Sequence, residues 1–237
     1  ATITEVFGSS DIARVSVKAY IEEKQIPTEF PEEVIREAEE IEKKGIPASE
    51  KAMRTDLRDL PIFTIDGADT KDIDDAISIE KTAKGFKLGV HIADVSHYVK
   101  KGTALDQEAR KRGTSVYIAD MVIPMLPKEL SNGICSLNPN EERLAFSCLM
   151  ELDNEGEITK YRFVKSLIRS RVKGVYSEVN KILAGEADDG LKEKYAEVIG
   201  EIACLHTYTK QDKKRRSRNK QRGKQNNLRR KRRMHRY

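Results

Sequence analysis

The chain has 237 residues, of which 44 are Lys or Arg and 39 are Asp or Glu, with 6% aromatic residues and three cysteines. This length predicts one domain, or one with part of another, and enough residues to bury a hydrophobic core. The apolar stretches are too short for a membrane-spanning helix, the N-terminus does not resemble a secretory signal, and an odd number of widely spaced cysteines argues against a zinc ribbon or a disulfide scaffold. We therefore expect a cytoplasmic protein without membrane insertion, and no partner protein can be inferred.

The charge is divided unevenly along the chain. Fifteen of the basic residues lie from residue 210 onward beside a single acid, Asp212, which leaves residues 1–209 with 29 basic and 38 acidic side chains and a balance of −9. The last 28 residues carry +14. Any nucleic-acid interpretation based on net charge therefore depends on the C-terminal segment alone.

Strand and helix signals alternate along the rest of the chain. Residues 1–7 and 13–21 contain alternating apolar pieces of the kind that strands show. Pro31 followed by two acids begins a helix that ends near Gly45. Further strands are predicted over residues 62–65, 76–79, 86–93, 115–118, 145–152 and 158–166, and further helices over 104–112, 177–183 and 191–206. The pattern predicts an α+β fold with a mixed, mostly antiparallel sheet and packed helices.

An acidic loop joins the strands predicted at 62–65 and 76–79. Five of its ten residues are aspartates: Asp66, Asp69, Asp72, Asp74 and Asp75. Strand ends can hold several carboxylates near one point, and the repulsion between them is tolerated when a divalent cation neutralises it. Oxygen ligands of this kind suit Mg²⁺, which can support attack on a phosphodiester.

Two other interpretations of this loop need no Mg²⁺. An aspartate-rich loop is often a solvated turn, and the loop by itself does not exclude this. A calcium-binding EF-hand loop fits poorly, because the sixth and twelfth positions counted from Asp66 are Lys71 and Ile77 instead of Gly and Glu.

Several other polar residues have structural explanations. His91 lies in an apolar strand and is expected to be a packed, hydrogen-bonded histidine. Asp94 and His97 are expected to make local hydrogen bonds, because no Ser or Cys nearby has the context of a nucleophile. Arg110 to Arg112 are consistent with either phosphate contacts or a solvated helix end.

Two further motifs follow the acidic loop in order. The first spans residues 89–117, the second consists of residues 123–131 and 135–139, and residues 26–31 and 171–183 add to them. Together with the loop, they resemble the RNB-type catalytic domain of the ribonuclease II family. The resemblance implies that residues 24–206 are the N-terminal part of that domain. Residues 1–23 then resemble the end of a preceding OB or cold-shock-type RNA-binding domain.

The resemblance implies an enzyme that degrades single-stranded RNA from its 3′ end to nucleoside 5′-monophosphates with Mg²⁺. Asp66 and Asp75 match the family's principal metal ligands. Asp72 matches a supporting carboxylate, and Asp74 matches the aspartate most critical for the chemistry, so these two are the catalytic candidates as well as members of the metal site.

Two tyrosines match RNA-binding positions of the family. Tyr117 matches an aromatic residue that lies against the last bases of the RNA, and Tyr176 matches a tyrosine near the terminal ribose. Aromatic stacking tolerates any base, and a ribose contact distinguishes RNA from DNA.

The resemblance also implies elements that the chain does not show. The family's catalytic domain continues with an arginine beside the scissile phosphate and another stacking aromatic residue, and an S1-type RNA-binding domain follows. We therefore expect little or no processive activity from this chain alone. The alternative function is that of a catalytically inactive RNA-binding fragment that uses the basic C-terminal segment.

Residues 207–237 have no apolar pattern and are expected to be disordered. One interpretation is a basic arm that binds RNA phosphates. We favour a second one, an out-of-frame translation, because purine-rich codons read in a shifted register give this Lys, Arg, Asn and Gln bias. Codons for residues 229–237 can be written so that the neighbouring frame encodes the acidic text expected of the family.

Overall fold

The computed structural model describes residues 13–118, 121–210 and 213. The chain divides into two compact units: Ala1–Gly45 with Val95–Ser136, and Ile46–Asp94 with Leu137–Tyr237. Most of the basic C-terminal segment lies outside the described residues, and residues 207–210 continue a helix. No helix in the described ranges combines the length and apolarity needed to cross a membrane.

The first unit is mainly helical. It contains helices α1 (Ala13–Glu23), α2 (Glu32–Lys44), α4 (Val95–Tyr98) and α5 (Ala104–Arg112), the hairpin β5 (Val116–Ile118) and β6 (Met121–Ile123), and a π-helical turn (Glu129–Ile134). α2 packs against α5 and the π-helical turn. Arg112 takes part in the packing of this unit: it forms an ion pair with Glu108, and its guanidinium lies 3.6 Å from the ring centre of Phe30.

The second unit is built on one sheet. Its elements are α3 (Ala48–Met53), β1 (Thr55–Asp56), β2 (Ile62–Asp66), β3 (Asp75–Thr82), β4 (Gly85–Ala93), β7 (Glu142–Asp153), β8 (Ile158–Val175), α6 (Tyr176–Ala184), α7 (Asp189–Lys194) and a further helix over 199–210. The hairpins β2–β3, β3–β4 and β7–β8 are antiparallel, as is the β4–β7 pair. The α+β prediction with a mostly antiparallel sheet is confirmed.

The long strand β8 closes this sheet into a ring. Residues 158–169 of β8 pair with β7, and residues 170–175 pair in parallel with β2. The strands β2, β3, β4 and β7 therefore each have two hydrogen-bonded neighbours, as in a small barrel, and β8 pairs with β1 as well as with β2 and β7. The C-terminal turn and helix cover part of the sheet: Tyr195, Val198 and Ile202 pack on Phe63 and Val172.

Two sequence predictions were wrong in detail. The alternating residues 13–21 form helix α1, because Ala13, Val17 and Ile21 also repeat every four residues, which places them on one helical face. The helix predicted over 191–206 is interrupted by a turn at 195–198. The turn begins at the fully buried Tyr195, whose hydroxyl accepts a hydrogen bond from the Val175 N–H at the junction of β8 and α6.

Candidate active site

The acidic loop connects two paired strands at one end of the sheet. β2 ends at Asp66, β3 begins at Asp75, and the strands pair antiparallel through Phe63 and Ile77. Antiparallel pairing brings the end of the first strand to the start of the second. The structure therefore places the two predicted principal ligands at the same end of the β2–β3 pair.

Hydrogen bonds from Lys173 and from the Leu137 backbone restrain the loop between them. The ammonium of Lys173 donates to the carbonyl oxygens of Ala68 and Thr70 at 3.1 and 2.5 Å. Ile73 is 1% exposed, and its carbonyl oxygen accepts from the Leu137 N–H at 2.9 Å. A loop held at its middle and near its end presents its carboxylates in restricted positions.

The carboxylates of this loop repel one another. Burial raises the pKa of Asp66 and the charges of Asp75 and Asp72 add to this rise, while the Thr64 hydroxyl and the charge of Lys173 partly oppose it. Asp74 keeps an exposed surface, but the surrounding protein partly desolvates its carboxylate and raises its pKa, and the charges of Asp72, Asp75 and Asp66 add to this effect. The charges of Asp66, Asp72 and Asp75 thus all act on Asp74, as like charges in a shared site do. Asp69 is not among these influences.

The donor chemistry of this group fits a hard cation. The Oδ2 atom of Asp66 is buried and has no hydrogen-bond partner in the described structure. An unsatisfied carboxylate oxygen beside other carboxylates is suited to a divalent ion such as Mg²⁺. Within the described residues, however, no three His, Cys, Asp or Glu side chains form a ready-made metal site. Mg²⁺ keeps several waters and takes ligands from substrate phosphates, so few protein ligands are needed.

Tyr176 lies beside this end of the sheet. It begins α6 directly after Val175, which is the register partner of Asp66, and it is 62% exposed. The junction is fixed by Tyr195, whose hydroxyl accepts from the Val175 N–H at 2.9 Å and donates to Glu178 at 2.6 Å. The structure therefore brings Tyr176 to the same sheet end as Asp66.

Tyr117 belongs to the other unit. It lies on β5, pairs with Val122 of β6, and is 64% exposed. An exposed tyrosine on a short hairpin is available for stacking, and its assigned role stays a prediction.

Sequence reasoning missed Lys173 and Gly174. A Cβ atom on Gly174 would lie 2.3 Å from the Thr64 carbonyl oxygen, so glycine allows β8 to approach β2 closely. The preceding Lys173 then reaches the acidic loop across that pairing. The pattern Lys-Gly at the end of a strand is too short a signal to reveal either contact without knowledge of the parallel pairing.

The prediction of a packed, hydrogen-bonded His91 is confirmed, whereas the partner of Asp94 is distant in sequence and the contact found for His97 is a ring contact. His91 is fully buried and hydrogen-bonded to Ser78 and Ser147. Asp94 accepts from the Arg54 guanidinium at 2.7 Å, and the His97 ring packs edge-to-face on Tyr98.

Comparison with known proteins gives one family. The RNB domain family matches residues 54–234. This match begins and ends later than the resemblance over 24–206, so those domain boundaries and the out-of-frame interpretation stay predictions.

Several of the similar proteins are ribonucleases R. Ribonuclease R of Thermotoga maritima is 50% identical over 196 residues, which are 81% of this chain and 27% of that protein. Two solved structures of Mycoplasma genitalium RNase R, in complex with double-stranded RNA and with ribose-methylated single-stranded RNA, superpose with TM-scores of 0.83 and 0.82. They are 31% and 32% identical, and the match covers 92% of this chain and 38% and 33% of theirs. The chain spans about a quarter of the length of most of these curated relatives, and 46% of the ribonuclease R of Acidithiobacillus ferrooxidans.

Proposed function

The chain belongs to the RNB domain family, and from this premise we propose that it carries the carboxylate part of an exoribonuclease site that degrades single-stranded RNA from its 3′ end to nucleoside 5′-monophosphates. The observation that supports this most directly is that the charges of Asp66, Asp72 and Asp75 act together on Asp74 at one end of the sheet. The RNA complexes of the similar Mycoplasma protein support RNA as the substrate class.

Mg²⁺ is the proposed cofactor. Asp66 and Asp75 are its proposed principal ligands, with Asp72 and Asp74 completing the site. When bound, the ion supplies positive charge to the carboxylates and polarises the phosphodiester. Asp74 and Asp72 are also the proposed catalytic carboxylates.

The two tyrosines are proposed to bind the RNA. Tyr176 follows the residue opposite Asp66, a position suited to contact with the 3′-terminal ribose beside the reacting phosphodiester. Tyr117 offers an exposed ring on which a base can stack.

We further propose that the isolated chain is a poor enzyme. The family resemblance assigns an arginine beside the scissile phosphate to a later part of the domain, and this chain spans about a quarter of its relatives. Loss of one donor that stabilises developing negative charge can lower a rate by about 10²–10³-fold.

The test places the segment in a complete enzyme. The 196-residue segment of Thermotoga maritima ribonuclease R that matches this chain is replaced by this chain's own segment. Degradation of a 5′-labelled single-stranded RNA with Mg²⁺ is then followed on denaturing gels, with chromatography of the released nucleotides. We expect shortening from the 3′ end with release of nucleoside 5′-monophosphates.

Two matched variants of the chimera identify the site. Asp74→Asn should lower the rate by at least ~10²-fold, on the scale of other catalytic electrostatic groups. Asp69→Asn makes the same charge change in the same loop and should leave the rate close to that of the parent chimera. A chimera without activity, or one in which Asp74→Asn cleaves as well as Asp69→Asn, would contradict the proposal.

A further inference from the structure

Four polar side chains form a hydrogen-bonded chain inside the second unit. They are Ser78 of β3, His91 of β4, Ser147 of β7 and Ser166 of β8. His91, Ser147 and Ser166 are 0% exposed and Ser78 is 7% exposed. Neighbouring members lie 3.0, 2.7 and 2.6 Å apart, so the chain crosses four strands without water.

The direction of every hydrogen bond in this chain can be deduced. The Ser166 hydroxyl donates to the Ala145 carbonyl oxygen at 3.2 Å, so its oxygen accepts from Ser147. Ser147 has then used its only proton and must accept from Nδ1 of His91. The remaining ring nitrogen, Nε2, therefore accepts from the Ser78 hydroxyl. His91 is thus a neutral Nδ1–H tautomer.

The end of this chain at Ser78 lies on the strand that carries the carboxylates. His91 is the register partner of Ala76, and Ile92 is the partner of Asp75. At the end of this pairing, the Ala93 N–H donates to the Asp74 carbonyl oxygen at 2.9 Å. The Ser78–His91 bond therefore joins β3 to β4 three residues from Asp75.

The bond is specific for one register of the two strands. Because side chains alternate between the faces of a strand, a slip of one residue would move Ser78 to the opposite face and leave His91 without its donor. A glycine on β4 itself makes room for the bond: a Cβ atom on Gly89 would lie 2.4 Å from the Ser78 oxygen and 2.7 Å from Nε2 of His91. An unpaired buried polar atom is costly, so the slipped pairing is disfavoured.

We propose that His91, acting through Ser78, is a positioning residue for the carboxylate site: their buried hydrogen bond sets the register of β3 on β4 and thereby the backbone positions of Asp74 and Asp75. This inference rests on the function proposed above for those aspartates. It concerns where the carboxylates are held, and His91 itself touches neither substrate nor cation.

The test compares two variants of the full chain that each delete one hydroxyl from the same buried network. Ser78→Ala removes the bond to β3, whereas Ser166→Ala removes the bond at the other end and leaves β3 untouched. Both should lower stability to urea by similar amounts. Only Ser78→Ala should accelerate the exchange of the Ala93 amide hydrogen. We expect its exchange rate, after correction for global unfolding, to rise about tenfold.

A second pair of variants tests His91 directly. His91→Gln places an amide oxygen near Nε2, where it can accept from Ser78, and should retain the slow exchange of Ala93. His91→Asn places its amide near Nδ1, does not reach Ser78, and should lose that protection. In the unmodified chain, nitrogen chemical shifts of the imidazole should report a proton on Nδ1.

The same variants are titrated with Mn²⁺ as a paramagnetic probe of the carboxylate site. The apparent Kd should rise about tenfold in Ser78→Ala and stay unchanged in Ser166→Ala. Equal acceleration of Ala93 exchange in the two serine variants, or a proton on Nε2, would overturn the inference. If the unmodified chain binds no Mn²⁺, the cation site proposed above fails, while the exchange comparison still decides the role of His91.

Discussion

Two regions of the second unit treat buried polar groups in opposite ways. In the interior, the hydrogen-bonded chain from Ser78 to Ser166 leaves each of its side chains with a partner, and its protons can all be assigned. At the sheet end, Asp66 keeps an unpartnered buried oxygen and Asp74 is surrounded by like charges. Satisfied polar groups specify a structure, whereas unsatisfied ones mark the place where a ligand completes it.

The interior network continues beyond the serines. The Ala145 carbonyl oxygen that ends it also accepts from Arg54 at 3.3 Å, and Arg54 forms a buried ion pair with Asp94 at 2.7 Å. The neighbour of Asp94, Ala93, binds the Asp74 backbone. The interior network and the carboxylates at the sheet end are therefore adjacent. Substitutions can separate their contributions to stability.

The largest expected effect comes from breaking the satisfied region at Arg54. Arg54→Met should lower the free energy of unfolding by about 3–5 kcal/mol, because Asp94 would lose its buried guanidinium partner. Urea denaturation followed by circular dichroism measures this. Arg110→Met removes an exposed guanidinium from its ion pair with Asp106 and should cost far less, because solvent screens an exposed pair. Similar losses in the two variants would show that burial does not strengthen the dependence on the partner.

A smaller effect depends on pH. Burial lowers the pKa of His91 from 6.5 to about 4. Between these pH values His91 binds a proton in the unfolded chain but not in the folded chain. The free energy of unfolding therefore falls as the pH falls from 6.5 to 4, and His91 accounts for about 3 kcal/mol of that loss. The slope of unfolding free energy against pH should be shallower in His91→Gln. Because the raised pKa values of Asp66 and Asp74 act in the opposite direction in both proteins, the difference between the slopes isolates His91. Parallel slopes would contradict the assignment.

The smallest expected effect has the opposite sign. Without divalent cations, Asp74→Asn should stabilise the chain by roughly 0.5–1 kcal/mol, because it removes like-charge repulsion at a solvent-exposed position. Added Mg²⁺ should raise the melting temperature of the unmodified chain more than that of the variant. Calorimetry with and without Mg²⁺ measures both. A destabilised Asp74→Asn would mean that this carboxylate makes a net favourable contact in the folded state.

Local patterns predicted the elements whose neighbours are close in sequence. Helix α2 begins after Pro31 and ends at Gly45, and helix α5 spans Ala104–Arg112, both as predicted. These signals act within one turn of helix. The same local pattern at residues 13–21 was ambiguous, because positions that alternate also repeat at intervals of four.

The sequence by itself determined the acidic loop, the two strands that flank it and the family to which the chain belongs, because these depend on residue types at short spacing. Tertiary structure decided which of those residues share an environment. The parallel pairing of β8 with β2 brings Lys173 and Tyr176 to the end of β2 from a segment about 100 residues later. The direction of the protons around His91 depends in the same way on serines from three other strands. Contacts between distant segments follow from how the strands close into a ring, and no local pattern encodes that closure.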